Sequence, residues 1–149
     1  MNSVNKGCNF RLRLRKSRID GNGLFTLEGI PARRKVTEYA GEKIRMSEAK
    51  RRFWRMLRKK GPKRMYLAKL SLGWAIDGAV GGNGSELINH SCDPNLFIKR
   101  EHGKINFYSK RRISVGEEIT TDYRYAATAI QVQCRCGSAK CRGTINLKR

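Results

Sequence analysis

The chain has 149 residues and a formal net charge of +21 at pH 7, from 33 lysines and arginines against 12 aspartates and glutamates. Its length predicts a single domain with a real hydrophobic core. Its charge predicts attraction to polyanions, with nucleic acid first and an acidic membrane surface second. Residues 1–19 contain six basic residues and no continuous apolar run, so we expect neither a secretory signal nor a membrane span. An intracellular, reducing compartment is therefore expected.

Alternation of apolar and polar residues predicts short strands along most of the chain. Phe10, Leu12 and Leu14 alternate with arginines, which is typical of a half-buried strand with a basic outer face. Further strands are predicted at residues 24–27, 35–39, 66–76 (two strands about Gly73), 96–99, 105–108 and 119–125. Residues 80–84 are too rich in glycine for regular structure. The sequence therefore predicts a mainly β domain.

One basic helix is predicted after Ser47, which can cap it. Ala49, Phe53 and Leu57 recur at helical spacing and form an apolar face, and the Gly-Pro pair at 61–62 ends the helix. The run 43–64 contains eleven basic residues and one acid. Two interpretations stay open, a solvated face or a surface that contacts nucleic acid or nucleoprotein. The basic side chains expected to project outward are Lys50, Arg51, Arg55, Arg58 and Lys59.

Three cysteines near the end of the chain, Cys134, Cys136 and Cys141, lie within eight residues and are flanked by basic residues that favour thiolates. In a reducing compartment, such cysteines bind metal more often than they form disulfides. Tetrahedral zinc needs four ligands, and Cys92 can supply the fourth if the fold brings it near. The alternative is three unrelated buried thiols. The remaining cysteine, Cys8, is interpreted as incidental.

The stretch 86–95 places Asn89 and His90 directly behind an apolar pair, which is typical of functional backbone anchored to the core. Taken one at a time, the polar motifs are ambiguous. His90 alone is more often a structural histidine, and the Gly-x-Gly at 21–23 is more often a hairpin turn. Tyr123 and Tyr125 alone are more often alternating strand residues.

Taken together and in order, these motifs resemble the SET-domain protein lysine methyltransferases, and the closing cysteines resemble their post-SET zinc segment. The resemblance runs from about residue 17 to about residue 146. The motifs that carry it are Gly-x-Gly-Leu-Phe at 21–25, Glu-Tyr-Ala-Gly-Glu at 38–42, Tyr66, Asn-His-Ser-Cys-Asp-Pro-Asn at 89–95, Gly-Glu-Glu-Ile-Thr-Thr-Asp-Tyr at 116–123 and Cys-x-Cys-x4-Cys at 134–141.

The resemblance implies a mainly β fold of several small sheets with a pseudoknot, in which the segment after Tyr123 passes the loop that carries Asn89 and His90. It implies an N-terminal strand or arm at 1–16, a SET domain at 17–126 and a zinc-bound post-SET segment at 127–149. We expect a cytoplasmic location or association with chromatin or a nucleoid.

The resemblance also implies an activity, S-adenosylmethionine-dependent methylation of a lysine on a protein substrate, a histone or another nucleic-acid-associated protein. Tyr123 would be the catalytic tyrosine, and Tyr66, Thr121 and Tyr125 would line the substrate channel. One Zn²⁺ would be bound by Cys92, Cys134, Cys136 and Cys141. The cofactor would contact Asn22, Gly23, Leu24, Phe25, Asn89, His90 and Tyr123.

Three features depart from the family pattern. Glu86 reverses the charge of the family's usual arginine, which bears on local packing and cofactor affinity. Thr121 stands where a phenylalanine or tyrosine commonly influences how many methyl groups are added, and its small side chain leaves room for a bulkier methylated amine. No cysteine-rich segment precedes the domain, so we expect the residues that bind the substrate to lie in this chain or in a partner. Glu86 also keeps open an alternative function, a non-catalytic zinc module that binds nucleic acid.

Overall fold

The computed structural model describes residues 3–4 and 7–148 of the chain. Residues 1–2 and 5–6 of the predicted N-terminal arm lie outside the described residues. The elements in chain order are β1 (Ser3–Val4), β2 (Leu12–Lys16), β3 (Asn22–Thr26), β4 (Lys35–Glu38), β5 (Glu42–Arg45), α1 (Met46–Arg58), β6 (Leu67–Lys69), β7 (Trp74–Asp77), a 3-10 turn (Ser85–Leu87), β8 (Asn89–His90), β9 (Leu96–Glu101), β10 (Lys104–Ser109) and β11 (Thr120–Thr121).

Among the described residues, the strands form four small sheets, which confirms the mainly β prediction. Three of them are antiparallel and three-stranded, with the orders β1-β2-β3, β4-β10-β9 and β5-β7-β6. The fourth pairs β8 with β11 in parallel. Because β8 and β11 lie far apart in the sequence, this last pairing requires the chain to return past the loop that carries Asn89.

The hydrophobic core collects the inward-facing residues of the antiparallel sheets. Leu12, Leu24 and Val36 come from β2, β3 and β4, and Ile105 comes from β10. All four are almost completely shielded from solvent. Each such side chain contributes roughly 1.5–3 kcal/mol by leaving water, so the sheets are held by this shared core more than by their short ladders.

Helix α1 begins at Met46, and the prediction that Ser47 caps it is wrong. The N-cap is Arg45, an extended residue whose side chain makes no capping hydrogen bond. Arg45 is also the last residue of β5, so the chain passes from strand to helix with no intervening loop in which Ser47 could act. On the inner face, Ala49 is buried against the sheet that contains β5. Within the described residues, no helix combines the length and apolar character needed to cross a membrane.

The strand predicted at 119–125 is much shorter than expected, because it pairs only with the two-residue β8. Beyond Thr121 the backbone N–H of Tyr123 donates to the His90 ring rather than to a strand, at 3.1 Å. Arg124 then adopts a positive φ of 52°, which turns the chain. Tyr123 and Tyr125 are therefore not alternating residues of a strand.

The last part of the chain, residues 126–148, folds back without regular strands or helices. Its organising residue is Asn146, which is fully buried. The Asn146 amide donates to the carbonyls of Ala126 and Ile130 at 3.0 and 3.2 Å, and its Oδ1 accepts the N–H of Val132 at 3.0 Å. One side chain thus closes the segment into a loop that can return to the centre of the domain.

Candidate active site and metal site

The parallel pair β8–β11 sets the position of the candidate active site. Asn89 lies opposite Thr120 and His90 opposite Thr121. Asn95 strengthens the pairing from the side, because its Oδ1 accepts the Thr120 N–H at 2.8 Å and its amide donates to the Glu118 carbonyl at 2.8 Å. The Asn-His motif and the segment that leads to the tyrosines are thereby fixed side by side.

Tyr123 is held from two sides. Its hydroxyl donates a hydrogen bond to the carbonyl of Ile88 at 2.7 Å. Its ring meets the His90 ring edge-on at 5.3 Å and lies 5.7 Å from the ring of Tyr125. The phenol is therefore positioned by contacts within the fold.

His90 connects Tyr123 to a cysteine. Because the Tyr123 N–H donates to Nδ1, this nitrogen must carry a lone pair, and the ring proton belongs on Nε2. Nε2 lies 3.4 Å from the Sγ of Cys92, so it can donate there. Burial lowers the pKa of His90 and outweighs the opposing effect of Asp122, which keeps the imidazole neutral.

Asp122, directly before Tyr123, is fastened to the tail by Arg142. The two side chains form a bidentate pair at 2.8 and 2.9 Å. Burial alone would raise the pKa of Asp122, but the hydrogen bonds from Arg142 and from the Arg124 N–H outweigh it and hold that pKa below its usual range. The backbone N–H of Arg142 also donates to the Sγ of Cys92 at 3.3 Å. The sequence analysis does not predict this role, because Arg142 is there only one of the basic residues that flank the cysteines.

The predicted metal ligands come together. The sulfur atoms of Cys92, Cys134, Cys136 and Cys141 all lie within 4.8 Å of one another. Cys92 and Cys134 are separated by 3.7 Å, and tetrahedral zinc with Zn–S bonds of about 2.3 Å requires sulfur atoms about 3.8 Å apart. Four thiols at this spacing fit one zinc ion, and the alternative of unrelated thiols is wrong. Cys8 lies elsewhere, with its Sγ 3.3 Å from Thr37 Oγ1.

Asn89 holds the glycine turn against the site. Its amide nitrogen donates to the carbonyls of Asp20 and Asn22, each at 3.1 Å, and to the Glu118 carboxylate at 2.8 Å. A Cβ on Gly23 would lie 2.0 Å from the same carboxylate, so any larger residue there would have to displace Glu118. Asn22 and Gly23 are thus placed beside Asn89, and their contact with a cofactor remains a prediction.

Glu118 is a second residue that sequence reasoning missed. Besides Asn89, it accepts a hydrogen bond from the Ser17 hydroxyl, which lies 2.9 Å from both carboxylate oxygens. Ser17 and Glu118 are 101 positions apart, so no local pattern could reveal the contact. The sequence indicated Glu118 only as a member of the motif at 116–123, and that motif predicted no role for it.

Leu24 and Phe25 differ from Asn22 and Gly23 in what they can offer a cofactor. The Leu24 side chain is completely buried in the core, and its carbonyl accepts the Ile119 N–H at 2.8 Å. The Phe25 ring lies 5.4 Å from the Arg15 guanidinium. Phe25 lines a cavity of about 410 Å³ together with Arg15, Lys16, Arg18 and Glu118. Their direct contact with a cofactor remains a prediction.

A cleft of about 890 Å³ opens beside Tyr123, a size typical of small-molecule sites. Its walls combine apolar and aromatic residues with charged ones; they include Tyr39, Leu67, Ile88, Phe97, Thr121, Tyr123 and Tyr125 beside Lys69, Glu86, Asp122 and Arg124. Two of the three predicted channel residues, Thr121 and Tyr125, line it. Tyr66 lies between the lining residues Met65 and Leu67, and its carbonyl accepts the Tyr39 hydroxyl at 2.6 Å.

The tyrosines of the cleft stay protonated at physiological pH. Burial, reinforced by Tyr125, Asp20, Tyr66 and Glu118, raises the pKa of Tyr123 far above its ordinary value. Burial likewise raises the pKa of Tyr125 to about 12. Tyr123 can therefore act as a neutral hydroxyl, which has a proton to donate and lone pairs to accept one.

The charge reversal at Glu86 is accommodated by the neighbouring glycine loop. Its carboxylate accepts the Gly84 N–H at 2.9 Å. A Cβ added to Gly78 would lie 2.6 Å from the Glu86 Cβ, and one added to Gly82 would lie 2.7 Å from its Oε2. The glycines at 78 and 82 therefore make room for this side chain at the edge of the cleft.

The chain has sequence relatives that are named as histone-lysine N-methyltransferases. It is 41% identical over 140 residues to histone-lysine N-methyltransferase set1 of Dictyostelium discoideum, covering 91% of this chain and 9% of that protein. It is 39% identical to human SETD1B, covering 91% and 7%, and 32% identical to ASHR3 of Arabidopsis thaliana, covering 93% and 29%. The chain thus spans less than a tenth of the first two relatives.

Solved structures and a family model agree with this geometry. The fold matches a crystal structure of KRYPTONITE in complex with mCHG DNA and SAH, with a TM-score of 0.76 and 27% identity over 93% of this chain and 29% of that one. A second KRYPTONITE structure, with mCHH DNA, an H3(1-15) peptide and SAH, matches with a TM-score of 0.74 and 26% identity, covering 93% and 30%. The family model described as SET domain matches residues 21–124, from the glycine turn to the residue after Tyr123, and the chain belongs to the SET domain family.

Proposed function

We propose that the chain is an S-adenosylmethionine-dependent protein lysine N-methyltransferase whose substrate is a histone or another nucleic-acid-associated protein. The observation that carries this proposal is Tyr123, a neutral phenol fixed on the Ile88 carbonyl at the wall of an aromatic cleft. The printed names of the relatives support the same activity and favour an association with chromatin. The proposal includes a division of the chain into an arm (1–16), a SET domain (17–126) and a post-SET segment (127–149).

The residues present fit the methyl donor. S-adenosylmethionine supplies an electrophilic methyl group on a sulfonium cation, and the faces of Tyr123 and Tyr125 offer a favourable surface to a cation. The Asn22–Gly23 turn, Asn89 and His90 are the groups we assign to holding the donor. The Leu24 side chain is excluded from that contact by its burial, so any contribution from Leu24 comes from its backbone.

The chemistry needs a neutral lysine amine, and a free lysine has a pKa of about 10.4. The aromatic walls around Tyr123 and Tyr125 would lower that pKa by disfavouring the ammonium form, whereas the carboxylate of Glu86 on the cleft wall would oppose this. The Tyr123 hydroxyl donates its hydrogen bond to the Ile88 carbonyl, so its lone pairs are available to accept an N–H of the amine. Such a bond orients the nitrogen lone pair, and orientation supplies most of the catalysis in a displacement of this kind.

The four-cysteine site is assigned one structural Zn²⁺, since thiolates alone fill its four positions. The chain's own contribution is the set of links from this site to Tyr123. His90 joins Cys92 to the Tyr123 N–H, and Arg142 joins the cysteine segment to Asp122. Through these links the four-cysteine site would help to position the tyrosine.

The test is transfer of a radiolabelled methyl group to free histones, to nucleosomes and to a lysate, followed by mapping of the labelled lysines. We expect labelled lysine that disappears in the Tyr123→Phe variant. The alternative function, a non-catalytic nucleic-acid module, is separated by titration with S-adenosylmethionine. Absence of saturable binding to zinc-loaded protein would rule out the methyltransferase and favour that alternative.

A further inference from the structure

The outer face of helix α1 combines clustered positive charge with an exposed tryptophan. Trp54 is 56% exposed, although a tryptophan normally buries most of its ring. Lys50, Arg51 and Arg58 lie one helical turn before or after it, and Arg55 is adjacent, all four exposed. We call Lys50, Arg51, Trp54, Arg55 and Arg58 the basic helix surface.

Acidic neighbours leave most of this charge unneutralised. Glu48, the acid of the first turn, is shared between Arg51 and Arg52. Arg52 turns away from the surface and also pairs with Glu42 and Asp77, each at 2.7 Å. In the part of the chain that the structure describes, no ion pair involves Lys50, Arg55 or Arg58.

Helix stability does not account for this arrangement. Arg51 and Arg55 stand at i, i+4, and Arg55 and Arg58 at i, i+3, and like charges at these spacings repel each other. The contacts of α1 with the sheet come from its other face, where Ala49 is buried. Arg55 and Arg58 also lie in the last turn, where cations interact favourably with the helix dipole, and this gain roughly offsets the repulsion. Because the charges also contribute nothing to the core, neither effect explains the cluster, which indicates an external ligand.

The same charge continues on both sides of the helix. Lys59, Lys60, Lys63 and Arg64 follow it and are exposed. On the other side, the cationic groups of Lys43 and Arg45 in β5 lie 4.9 and 4.1 Å from the centroid of the Trp74 ring. Cations held in this way keep their position and still face solvent.

The chemistry of the surface selects nucleic acid among polyanions. Exposed lysines and arginines neutralise phosphates, and an exposed aromatic ring among them stacks on a base. A helix that inserts into a membrane needs an apolar outer face, but the large apolar residues Phe53, Met56 and Leu57 of α1 lie on the partly buried side. Trp54 is the single large apolar side chain of α1 that is exposed.

We propose that the basic helix surface binds nucleic acid, with phosphates on Lys50, Arg55 and Arg58 and an unpaired base on Trp54, without sequence preference. This binding does not depend on catalysis. Its use does rest on the proposed function: an enzyme of net charge +21 repels a basic protein substrate, and nucleic acid carried by that substrate offsets the repulsion.

Fluorescence anisotropy tests the proposal, with a short labelled single strand, the matching duplex and an RNA strand of the same sequence, titrated across about 50–200 mM salt. The main variant is Lys50→Gln with Arg55→Gln and Arg58→Gln, since glutamine keeps the helix. The matched control is Arg33→Gln with Arg34→Gln and Arg112→Gln, which removes the same charge from three exposed arginines outside the run. Circular dichroism and zinc content verify that both variants fold.

We expect the main variant to bind at least tenfold more weakly at low salt and to reduce the slope of log K against log salt by about 2, since each phosphate contact contributes roughly 0.7–0.9. The control should change affinity much less. Trp54→Leu should weaken single-strand binding roughly fivefold or more at an unchanged salt slope, and duplex binding less, because stacking needs an accessible base.

Three results would overturn the proposal. The first is no nucleic-acid binding at low salt. The second is an equal loss in the control variant, which would show that only the overall charge attracts nucleic acid. The third is tighter binding of anionic lipid vesicles or polyglutamate than of nucleic acid, with the main variant weakening that binding and leaving nucleic-acid binding unchanged. Titration of the same proteins with S-adenosylmethionine keeps this outcome separate, because absence of saturable binding in the wild type would overturn the proposed function alone.

Discussion

Two regions of the molecule use charged residues in opposite ways. Around Tyr123, the charged side chains are paired inside the protein: Asp122 with Arg142, and Glu118 with Asn89 and Ser17. On the outer face of α1, Arg55 and its neighbours are left to solvent. A buried charge without a partner is costly, so the first arrangement fixes geometry. An exposed cation keeps its interaction free for a ligand, so the second provides a surface.

The two regions also differ in how far their contacts reach along the chain. The active site joins segments that lie 29 to 101 positions apart through single side chains, as Asn89 and Ser17 do with Glu118. The basic helix surface is one continuous run of sequence. Disruption should therefore spread widely from the first region and stay local in the second.

Loss of zinc should have the largest effect. We expect one zinc per chain, and Cys92→Ser should lower zinc content, abolish methyl transfer and loosen residues 126–148, because structural zinc contributes directly to folding. Metal analysis and limited proteolysis of the tail measure this. Cys8→Ser is the matched control, since that thiol lies outside the cluster. Zinc retained at full stoichiometry in Cys92→Ser would contradict the four-thiol site.

Tyr123→Phe should come next, because it removes one hydroxyl and preserves the ring packing against His90. We expect methyl transfer to fall by about two orders of magnitude or more, the scale for a positioned polar catalytic group. Zinc content and cofactor binding should be unchanged. Since the pKa of Tyr123 is raised, activity in the wild type should increase with pH as lysine deprotonates, without a decline from tyrosine ionisation near pH 10. Near-normal turnover of the variant would refute the assigned role.

Arg142→Lys should give a smaller loss. Lysine keeps the charge but cannot reproduce the bidentate pair with Asp122, so the link between the tail and Tyr123 is weakened. Groups that orient metal ligands typically change activity by roughly tenfold to a hundredfold, and we expect about tenfold in kcat. Arg135→Lys serves as the control, because Arg135 is exposed beside the same cysteines. If Arg142 is only structural, the loss should follow melting temperature and zinc content instead of kcat.

Thr121→Phe should change the product more than the rate. Thr121 is buried on the cleft wall, two residues before Tyr123. A larger side chain there leaves less room for an amine that already carries methyl groups, so mass spectrometry of the product should show a shift towards monomethylation. Thr121→Val, which keeps the volume, should leave the distribution unchanged. An unaltered distribution in Thr121→Phe would mean that Thr121 does not limit the space around the amine.

Sequence patterns predicted those parts of the fold that depend on local alternation. Strands β2, β9 and β10 lie close to where the alternation of Leu12–Lys16 and of the later segments placed them. Local preference failed at Ser47, because strand β5 runs directly into the helix and leaves no cap position. It also failed at residues 119–125, where a histidine ring takes the N–H that a longer strand would use.

The candidate site was predictable in its motif residues and not in its supports. The spacing of Cys134, Cys136 and Cys141 indicated a metal site, and the structure brings Cys92 to them. The roles of Glu118 and Arg142 were not predicted, because each acts through a contact with a distant segment that no periodic pattern encodes. The roles of the motif residues themselves rest on the experiments above.

The smallest effect should distinguish two arginines of the same helix. Arg52 bonds Glu42, Glu48 and Asp77, and Asp77 is buried. Arg52→Gln leaves that carboxylate without its cationic partner, so we expect a lower melting temperature. Arg55→Gln should leave the melting temperature nearly unchanged, because relief of repulsion on the outer face offsets the lost interaction with the helix dipole. Nucleic-acid binding should respond in the reverse order, weakened by Arg55→Gln and little altered by Arg52→Gln. Thermal unfolding and anisotropy on the two variants provide the measurement. If both variants lost stability and binding equally, the distinction between a paired and an available arginine would fail on the one helix where both occur.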